Sequence, residues 1–247
     1  MQEEVFVIYR VEPRVFELVP HFCRGVVVAR SVDNTATEDA ALERLFRERV
    51  ESVESDSEVD QNHPRIKAWG EVYKTFPITK DKGRIEPSVA ALVRRIKSGK
   101  AASIPFISPL VCISNLISLT HLAPSGLVDA DKVEGDLVLG AASGQERFEP
   151  ISSDRVQSPQ PGEIIYYDTG RGAVLCRAWN SRGGKAGMIF PNTRSAIIVV
   201  DGLLTALPYD EIVSASNEVA RLVEQHCAAR TTVHFLNKSN PRLAVEL

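Results

Sequence analysis

The sequence predicts a mixed α+β protein, because its apolar residues follow different periods in different parts of the chain. Residues 5–9 and 25–29 are short β-branched runs, which are typical of strands. In residues 38–53 large apolar residues recur about every 3.6 residues, which indicates the buried face of an amphipathic helix. A helix-rich first half precedes a sheet-rich second half, so we expect a mixed sheet with packed helices and no internal repeats.

The first 62 residues are expected to supply two strands and one helix. The residues between the strands, 13–24, are interpreted as irregular. The helix over 38–53 presents Leu42, Phe46 and Val50 on one face and a strongly charged surface on the other. Residues 54–62 contain one large apolar residue, so we predict an exposed linker and the best internal boundary there.

Three further helices are predicted between residues 63 and 121. Ile66, Trp69 and Val72 mark the first of them. The second helix begins at Pro87-Ser88 and ends before Gly99, and the third begins at Pro109. Proline is favoured in the first turn of a helix, and glycine is favoured just past its end. The third carries apolar residues through most of its length, so it is expected to be buried.

Short strands and one helix complete the chain. The strand candidates after the Pro-Ser-Gly turn at 124–126 are 137–139, 163–167, 173–177 and 195–200. Residues 212–223 predict an amphipathic helix and residues 231–236 a last strand. We divide the chain into an N-terminal strand-helix segment (1–62), a core (63–202) and a C-terminal helix and strand (203–247), and expect one structural domain.

The composition excludes several classes of protein. The chain has 247 residues, a net charge of −3 and 44% hydrophobic residues, as globular proteins do. It lacks a basic leader and an apolar run long enough to span a bilayer, so a cytoplasmic protein with no membrane partner is expected. The four cysteines and five histidines are scattered, which predicts free thiols and no metal site. Nucleotide-loop and nucleophile-elbow motifs are absent, so no cofactor is expected.

Several polar residues lie in contexts that are otherwise apolar or glycine-rich. Ser114, Asn115 and Ser118 interrupt the apolar third helix, and burial of a polar group without a partner costs about 1–3 kcal/mol in proteins. The structural alternative for them is hydrogen bonding between helices or to the backbone. Glu134-Gly135-Asp136 is interpreted as a turn before a strand. The segment Arg177-Ala-Trp179-Asn180 ends a strand in a polar loop, where ligand sites are common, although Trp179 can equally be a packing anchor.

Basic residues form two local groups on this mildly acidic chain. Seven of them lie between residues 80 and 100: Lys80, Lys82, Arg84, Arg94, Arg95, Lys97 and Lys100. A smaller group comprises Arg177, Arg182 and Lys185. Such clustering can present one basic face to an anionic partner, and a solvated helix surface is the structural alternative.

In their order and spacing, these residues resemble a known family. The motifs are His63-Pro-x-Ile-x-Ala-Trp69, Ser88-Val-x-Ala-Leu92, residues 107–115, Ser118-Leu-x-His121, Glu134-Gly-Asp-Leu137, Pro161-Gly-Glu163 and Cys176-Arg-x-Trp-Asn180. The chain is similar through them to free-standing B3/B4 domain proteins, relatives of the editing domain of the phenylalanyl-tRNA synthetase beta subunit. The similarity runs from about residue 5 to about residue 202 and is densest after residue 63.

The resemblance implies the B3/B4 editing fold and hydrolysis of the ester of a mischarged aminoacyl-tRNA. Ser114-Asn115 correspond to the Thr-Asn pair of the synthetase editing pocket, and Trp179-Asn180 fall where that pocket contacts the amino-acid side chain. This sequence departs from the family at Gly126, where the synthetase domain has a pocket histidine, and at Cys112, where aspartate is common. His121 is the nearby substitute for the missing histidine.

The resulting hypothesis assigns a role to each candidate. Ser114 and Asn115 position a water or the carbonyl, with His121 as general base. The substrate-binding candidates are Ser118, Gly126, Glu134, Asp136, Arg177, Trp179 and Asn180. The tRNA-binding candidates are Arg84, Arg94, Arg95, Lys97, Lys100, Arg182 and Lys185. No metal is assigned.

We therefore expect a trans-editing aminoacyl-tRNA deacylase. Its partners are the acceptor end of tRNA and a free or esterified amino acid, and a homodimer is one possible assembly. Two alternatives stay open: a non-catalytic tRNA or amino-acid binding module of the same fold, and an enzyme recruited to another aminoacyl-tRNA-dependent reaction. The sequence identifies neither the amino acid nor the tRNA.

Overall fold

The computed structural model describes residues 6–78, 84–100, 104–151 and 153–246. Its helices are α1 (Pro13–Leu18), α2 (Ala40–Ser55), α3 (Pro64–Val72), α4 (Ser88–Arg95), α5 (Pro109–His121) and α6 (Tyr209–Cys227). Its strands are β1 (Phe6–Val11), β2 (Phe22–Arg30), β3 (Ser125–Asp129), β4 (Leu137–Ala141), β5 (Ile164–Asp168), β6 (Ala173–Arg177), β7 (Arg182–Gly183), β8 (Ser195–Leu203), β9 (Arg230–Asn237) and β10 (Arg242–Glu246). The predicted mixed α/β class is confirmed.

The strands form two sheets that pack face to face. The larger sheet has the order β10-β1-β4-β5-β6-β7, and the smaller has the order β3-β8-β2-β9. All pairs are antiparallel except β1 with β4. Apolar residues of the two facing surfaces, such as Val26 and Ile197 from the smaller sheet and Leu139 and Ile164 from the larger, form one core.

Helices α2, α4, α5 and α6 cover the other face of the smaller sheet and form a second core with it. Strand β2 contributes to both cores because its side chains alternate: Val27 and Ala29 contact the helices, whereas Val26 and Val28 contact the larger sheet. This explains why the strand is buried along nearly its whole length and appears as a continuous apolar run in the sequence.

Two local predictions need correction. Part of the segment interpreted as irregular, residues 13–24, forms α1, which begins at Pro13, a residue that suits a first helical turn. The predicted linker over 54–62 is mostly exposed, but Val59 is buried in the helix-side core together with Phe46 and Ile66. One apolar side chain is therefore enough to fix this segment against the core. No helix in the described ranges is long and apolar enough to cross a membrane.

Candidate active site between the two sheets

A cavity of about 180 Å³ lies between the two sheets. Its walls come from β2, β3, β5, β6, β7 and β8, from the loop between β6 and β7, and from the first residue of α4: Arg24, Ser88, Pro124, Ser125, Gly126, Leu127, Val128, Tyr166, Leu175, Cys176, Trp179, Asn180, Ser181, Gly183, Val199 and Asp201. Several of these residues are small, Ser125, Gly126 and Gly183 among them, where the core elsewhere holds large apolar side chains. The cavity is therefore the clearest candidate for a ligand site.

A buried ion pair forms part of the cavity wall. The register of β2 with β8 sets Arg24 directly opposite Asp201. The guanidinium donates from Nε to Oδ1 of Asp201 over 2.5 Å and from Nη2 to Oδ2 over 2.9 Å, and both side chains are at most 2% exposed. Nη1 donates to the Tyr9 hydroxyl. Burial alone would lower the pKa of Arg24, but Asp201 raises it above its usual value, so the guanidinium stays charged.

Asn180 extends this network to the rim of the cavity. Its Nδ2 donates to Oδ2 of Asp201 over 3.0 Å, and its Oδ1 accepts from the Tyr73 hydroxyl over 2.6 Å. Burial raises the pKa of Tyr73 well above its usual value, so its hydroxyl keeps the donated proton. The network therefore contains one positive and one negative charge that neutralise each other.

The loop after β6 is held by a second buried ion pair. Arg177 donates to both carboxylate oxygens of Glu163 over 2.9 and 2.8 Å, and Oε1 of Glu163 also accepts the backbone N–H of Ala178. Ala178 and Trp179 both adopt left-handed backbone conformations, with φ of 45° and 61°. Such conformations are costly for residues other than glycine and persist only where neighbouring contacts impose them. Arg177 thus stabilises the loop.

Trp179 lies in the inter-sheet core and also lines the cavity. Its ring packs edge-on against Phe22 at 4.9 Å and against Trp69 at 5.7 Å, and the side chain is 1% exposed. Both interpretations of this residue from the sequence, packing anchor and wall of a pocket, are therefore compatible with its position.

Two side chains in the cavity wall carry buried polar atoms without a hydrogen-bond partner among the described residues. These atoms are Oγ of Ser88 and Nε1 of Trp179. Most buried polar groups in proteins are paired, so two unpaired ones around one cavity need an explanation. The Tyr166 hydroxyl, by contrast, is hydrogen-bonded to that of Tyr9, and burial raises the pKa of Tyr166 well above its usual value.

The serines of α5 contact the cavity only through another residue. Oγ of Ser114 donates to Oγ of Ser125 over 2.9 Å, and Oγ of Ser118 accepts the backbone N–H of Ser125 over 3.1 Å. Ser125 begins β3 and lines the cavity. The two serines therefore fix the start of β3 against α5. Asn115 is half-buried and is absent from the cavity lining.

His121 lies outside the cavity lining. It is the last residue of α5, and its Nε2 is 2.9 Å from Oε2 of Glu218 on α6. The hydrogen bond with His121 lowers the pKa of Glu218, which keeps this carboxylate ionised. The geometry therefore ties α5 to α6 through His121, and its predicted role as general base gains no support from this position.

Two acidic candidates lie in the turn between β3 and β4. The Glu134 carboxylate is 3.5 Å from the Arg171 guanidinium, and the Asp136 backbone N–H donates to Thr169. Neither residue lines the cavity. Gly135 allows the close approach of the Gly170 backbone, since a Cβ there would lie 2.3 Å from the Gly170 nitrogen. The conformation thus fits the structural turn that the sequence offered as an interpretation.

A wide groove of about 630 Å³ adjoins the cavity. It is lined by Ser88, Ala91, Leu92, Arg94, Arg95, Ser98, Lys100 and Ser181, so it shares Ser88 and Ser181 with the cavity. Arg94 pairs with Glu86 over 2.5 Å. Lys97 donates to the carbonyls of Glu54 and Asp56 at the end of α2 and does not line the groove. We name this feature the basic groove.

The remaining basic candidates lie elsewhere. Lys185 lines a separate cleft of about 550 Å³ with Lys132, Arg147 and Arg171, and these four cations pair with Asp154, Asp129, Glu149 and Glu134, respectively. Arg182 is on β7, paired in register with Arg177. Arg84 is exposed, whereas Lys80 and Lys82 lie outside the described residues. The structure therefore gathers Arg94, Arg95 and Lys100, but not the whole predicted set, beside the cavity.

No group of three or more metal-ligating side chains occurs in the described part of the chain. The four cysteines are free thiols. Burial raises the pKa of Cys176, which lines the cavity, to about 12. The thiol is therefore protonated at neutral pH and is a poor nucleophile.

We expect all four thiols of the native protein to resist iodoacetamide at pH 8. Burial raises the pKa of Cys23 to about 11 and those of Cys112 and Cys227 to about 12, as for Cys176, and alkylation requires the thiolate. Mass spectrometry of the native protein should show little alkylation, and the urea-unfolded protein should react at four sites. Rapid labelling of native Cys176 with loss of activity would contradict a protonated, non-catalytic thiol.

The site residues predicted from the sequence do not include four residues of the cavity wall: Arg24, Ser88, Tyr166 and Asp201. Arg24 comes directly before one β-branched strand run and Asp201 directly after another, and this is the available signal, because a charge at the end of a buried strand needs a partner. Strand register, which the sequence does not specify, brings the two together. Ser88 opens the Ser88-Val-x-Ala-Leu92 motif, which marks it as part of the family pattern without indicating a role, and Tyr166 carries no comparable signal.

Comparison with known proteins defines the family. No curated protein sequence matches the chain. Among solved structures, the chain is similar to an N-terminal fragment of the phenylalanyl-tRNA synthetase beta-subunit from Pyrococcus horikoshii, with 11% identity and a TM-score of 0.45 over 91% of this chain and 50% of that one. The chain thus spans about half the length of that structure. A profile described as the B3/4 domain matches residues 73–228, more than half of the chain. The protein therefore belongs to the B3/4 domain family, as its motifs predicted.

Proposed function

We propose that this protein hydrolyses the ester bond of mischarged aminoacyl-tRNA as a free-standing editing factor. One observation carries the proposal: a small cavity between the sheets shares Ser88 and Ser181 with the basic groove. The end of an aminoacyl-tRNA carries an amino-acid side chain, an ester and a chain of phosphates, in that order. The side chain matches the cavity, the phosphates match the basic groove, and the ester lies between them. Membership of the B3/4 family supports a role connected with tRNA.

The cavity has the size of one amino-acid side chain. Its volume of about 180 Å³ exceeds the roughly 150 Å³ of an engineered apolar cavity that binds benzene, and it is too small for a nucleoside. Among the described residues of its wall, the only charged side chains are those of Arg24 and Asp201, which are paired with each other. An ionised side chain would find no opposite charge there, so the preferred substrate carries an uncharged amino acid.

Ester hydrolysis at this site needs no covalent intermediate. A water oxygen attacks the carbonyl carbon, the carbonyl oxygen becomes an oxyanion, and the bond to the ribose oxygen then breaks. The water proton ends on that ribose oxygen, which leaves a free amino acid and a tRNA with a free hydroxyl. Preorganised hydrogen-bond donors for the oxyanion are the main contribution that a protein makes to such a step. The protonated Cys176 thiol takes no part as a nucleophile.

A deacylation panel tests the proposal. Purified protein is incubated with tRNAs that carry different labelled amino acids, and the remaining ester is measured over time. We expect rapid loss of one or a few uncharged amino acids and no acceleration for lysyl or aspartyl esters. Failure to accelerate hydrolysis of every ester, at protein concentrations where tRNA binds, would reject the enzymatic function.

A specific observation supports a second function, that of a non-catalytic binding module. Among the residues that line the described cavity there is no histidine, and both carboxylate oxygens of Asp201 accept hydrogen bonds from Arg24 or Asn180. The same panel distinguishes the two functions, because a binding module retains aminoacyl-tRNA without shortening the lifetime of the ester. Recruitment to another aminoacyl-tRNA-dependent reaction, and a homodimer, stay predictions from the sequence.

We expect Arg94→Ala with Arg95→Ala to weaken tRNA binding and to reduce its salt dependence. Removal of each ion pair with a phosphate should lower the slope of log affinity against log salt by about 0.7–0.9. The choice of amino acid should not change, because these residues line the groove and not the cavity. Filter binding at several salt concentrations measures the slope.

A double variant with the same loss of charge provides the control. Arg14 and Arg44 are exposed on α1 and α2, and neither lines the groove. Their replacement by alanine should leave both affinity and slope close to those of the native protein. Equal effects of the two double variants would mean that binding follows net charge and that the basic groove is not the docking surface.

A further inference from the structure

The two unpaired polar atoms of the cavity wall belong to Ser88, at the junction of the cavity and the basic groove, and to Trp179, in the adjoining loop. Ser88 lines both spaces, and its backbone N–H donates to the carbonyl of Asn180 over 3.2 Å. Trp179 directly precedes Asn180. Oγ of Ser88 and Nε1 of Trp179 have no hydrogen-bond partner among the described residues. The charged and amide side-chain donors of the wall do have acceptors: Arg24 donates to Asp201 and Tyr9, and the Asn180 amide donates to Asp201.

The backbone around Trp179 is held in an unfavourable conformation by several independent contacts. Ala178 and Trp179 are both left-handed, Glu163 accepts the Ala178 N–H, and the Trp179 N–H donates to the carbonyl of Ile164 over 2.7 Å. Oγ of Ser181 accepts from the Glu86 N–H, which ties the loop to the segment before α4. Strain that surrounding contacts maintain is characteristic of functional sites.

We propose that the indole N–H of Trp179 and the hydroxyl of Ser88 donate hydrogen bonds to the carbonyl oxygen of the bound aminoacyl ester and to the oxyanion that forms from it. This inference rests on the proposed function. The ester of such a substrate lies between the side chain, inside the cavity, and the phosphates, in the groove. Ser88 lines both spaces, and the Trp179 loop is bonded to it. Binding would give both donors the acceptor that the protein itself does not supply.

Conservative variants separate this role from packing. Trp179→Phe keeps an aromatic ring and removes the N–H, and Ser88→Ala removes only the hydroxyl. Loss of one preorganised donor to an oxyanion typically costs about 100- to 1000-fold in rate, so each variant should lower kcat/KM for deacylation to that extent. Melting temperatures should show that both variants are folded.

The chain offers a matched control for each variant. Trp69 packs against Trp179 in the same aromatic cluster, is 2% exposed and does not line the cavity, so Trp69→Phe should reduce stability as Trp179→Phe does but retain activity. Ser216 on α6 lines neither the cavity nor the groove, and its Oγ donates to the Ile212 carbonyl, so Ser216→Ala should leave kcat/KM unchanged. Full activity in Trp179→Phe and Ser88→Ala would overturn the inference and leave the proposed hydrolysis intact.

A binding experiment tests the same contact without turnover. The chain has two tryptophans, so a 15N-labelled sample gives two indole signals, which Trp69→Phe assigns. The probes are 3′-amides of adenosine with alanine, valine, leucine and phenylalanine, in which an amide replaces the ester. We expect the Trp179 indole proton to move downfield on binding while the Trp69 signal stays in place. Binding that leaves the Trp179 signal unmoved overturns only this inference, whereas absence of binding to all four probes, together with no accelerated ester in the deacylation panel, overturns the proposed function as well.

Discussion

Gly126→Leu is expected to abolish deacylation and to raise the melting temperature. Gly126 lines the cavity opposite Val199 in the β3–β8 register. A Cβ built there lies 3.4 Å from Cγ2 of Val199, an ordinary contact, and Gly126 has no positive φ, so the backbone accepts a side chain. A leucine side chain would then occupy much of the space assigned to the substrate. Filling a cavity typically stabilises a protein by about 0.5–2 kcal/mol, and glycine within a strand weakens it.

Opposite changes in activity and stability make this variant informative. A variant that merely misfolds loses both, so a higher melting temperature together with absent deacylation assigns the loss to the filled cavity. Gly126→Ala should give an intermediate effect and shift the preference toward smaller amino acids. Gly70 on α3 is the control, since it is exposed and a Cβ there would contact nothing within 4 Å. Full activity in Gly126→Leu would mean that the amino acid binds elsewhere.

The polar residues of α5 show what helical periodicity does and does not predict. Apolar spacing correctly placed Ser114 and Ser118 in a buried helix. Whether a buried hydroxyl contacts a ligand or another part of the chain depends on the neighbouring element, which periodicity does not identify. Here both serines bind Ser125, the first residue of β3. Their hydrogen bonds are within the protein, but the partner is a strand and not a second helix, and they influence the cavity only through that strand.

The polar, aromatic segment at the end of β6, residues 177–180, predicts a ligand-binding loop. In the structure, Trp179 and Asn180 of this loop form part of the cavity wall. Its conformation depends on Glu163, which lies on the neighbouring segment before β5 and bonds to Arg177 and to the Ala178 N–H. The left-handed backbone of Trp179 has no sequence signal, since such positions normally favour glycine. Local sequence thus indicated the place of the loop, and long-range contacts determine the direction of its side chains.

Asp201→Asn is expected to lower the free energy of unfolding by about 3–5 kcal/mol, because it leaves the Arg24 guanidinium buried with no counter-charge. Arg24 is 1% exposed and cannot reach solvent by a change of rotamer alone, and Asp201 accepts three hydrogen bonds, two from Arg24 and one from Asn180. For a chain of this length the melting temperature should fall by roughly 6–20 °C. Urea unfolding followed by circular dichroism measures the change.

Comparison with an exposed ion pair shows whether burial is the cause. Arg14 and Glu17 pair over 2.9 Å on α1 with more than half of each side chain exposed, so Glu17→Gln should change the free energy of unfolding by less than about 1 kcal/mol. Arg24→Met combined with Asp201→Leu should recover part of the stability lost in Asp201→Asn, because removal of both charges leaves neither unpaired. Recovery will be incomplete, since Tyr9 and Asn180 each lose a partner. If Asp201→Asn is as stable as the native protein, the pair does not neutralise the cavity wall, and the preference for uncharged amino acids loses its physical basis.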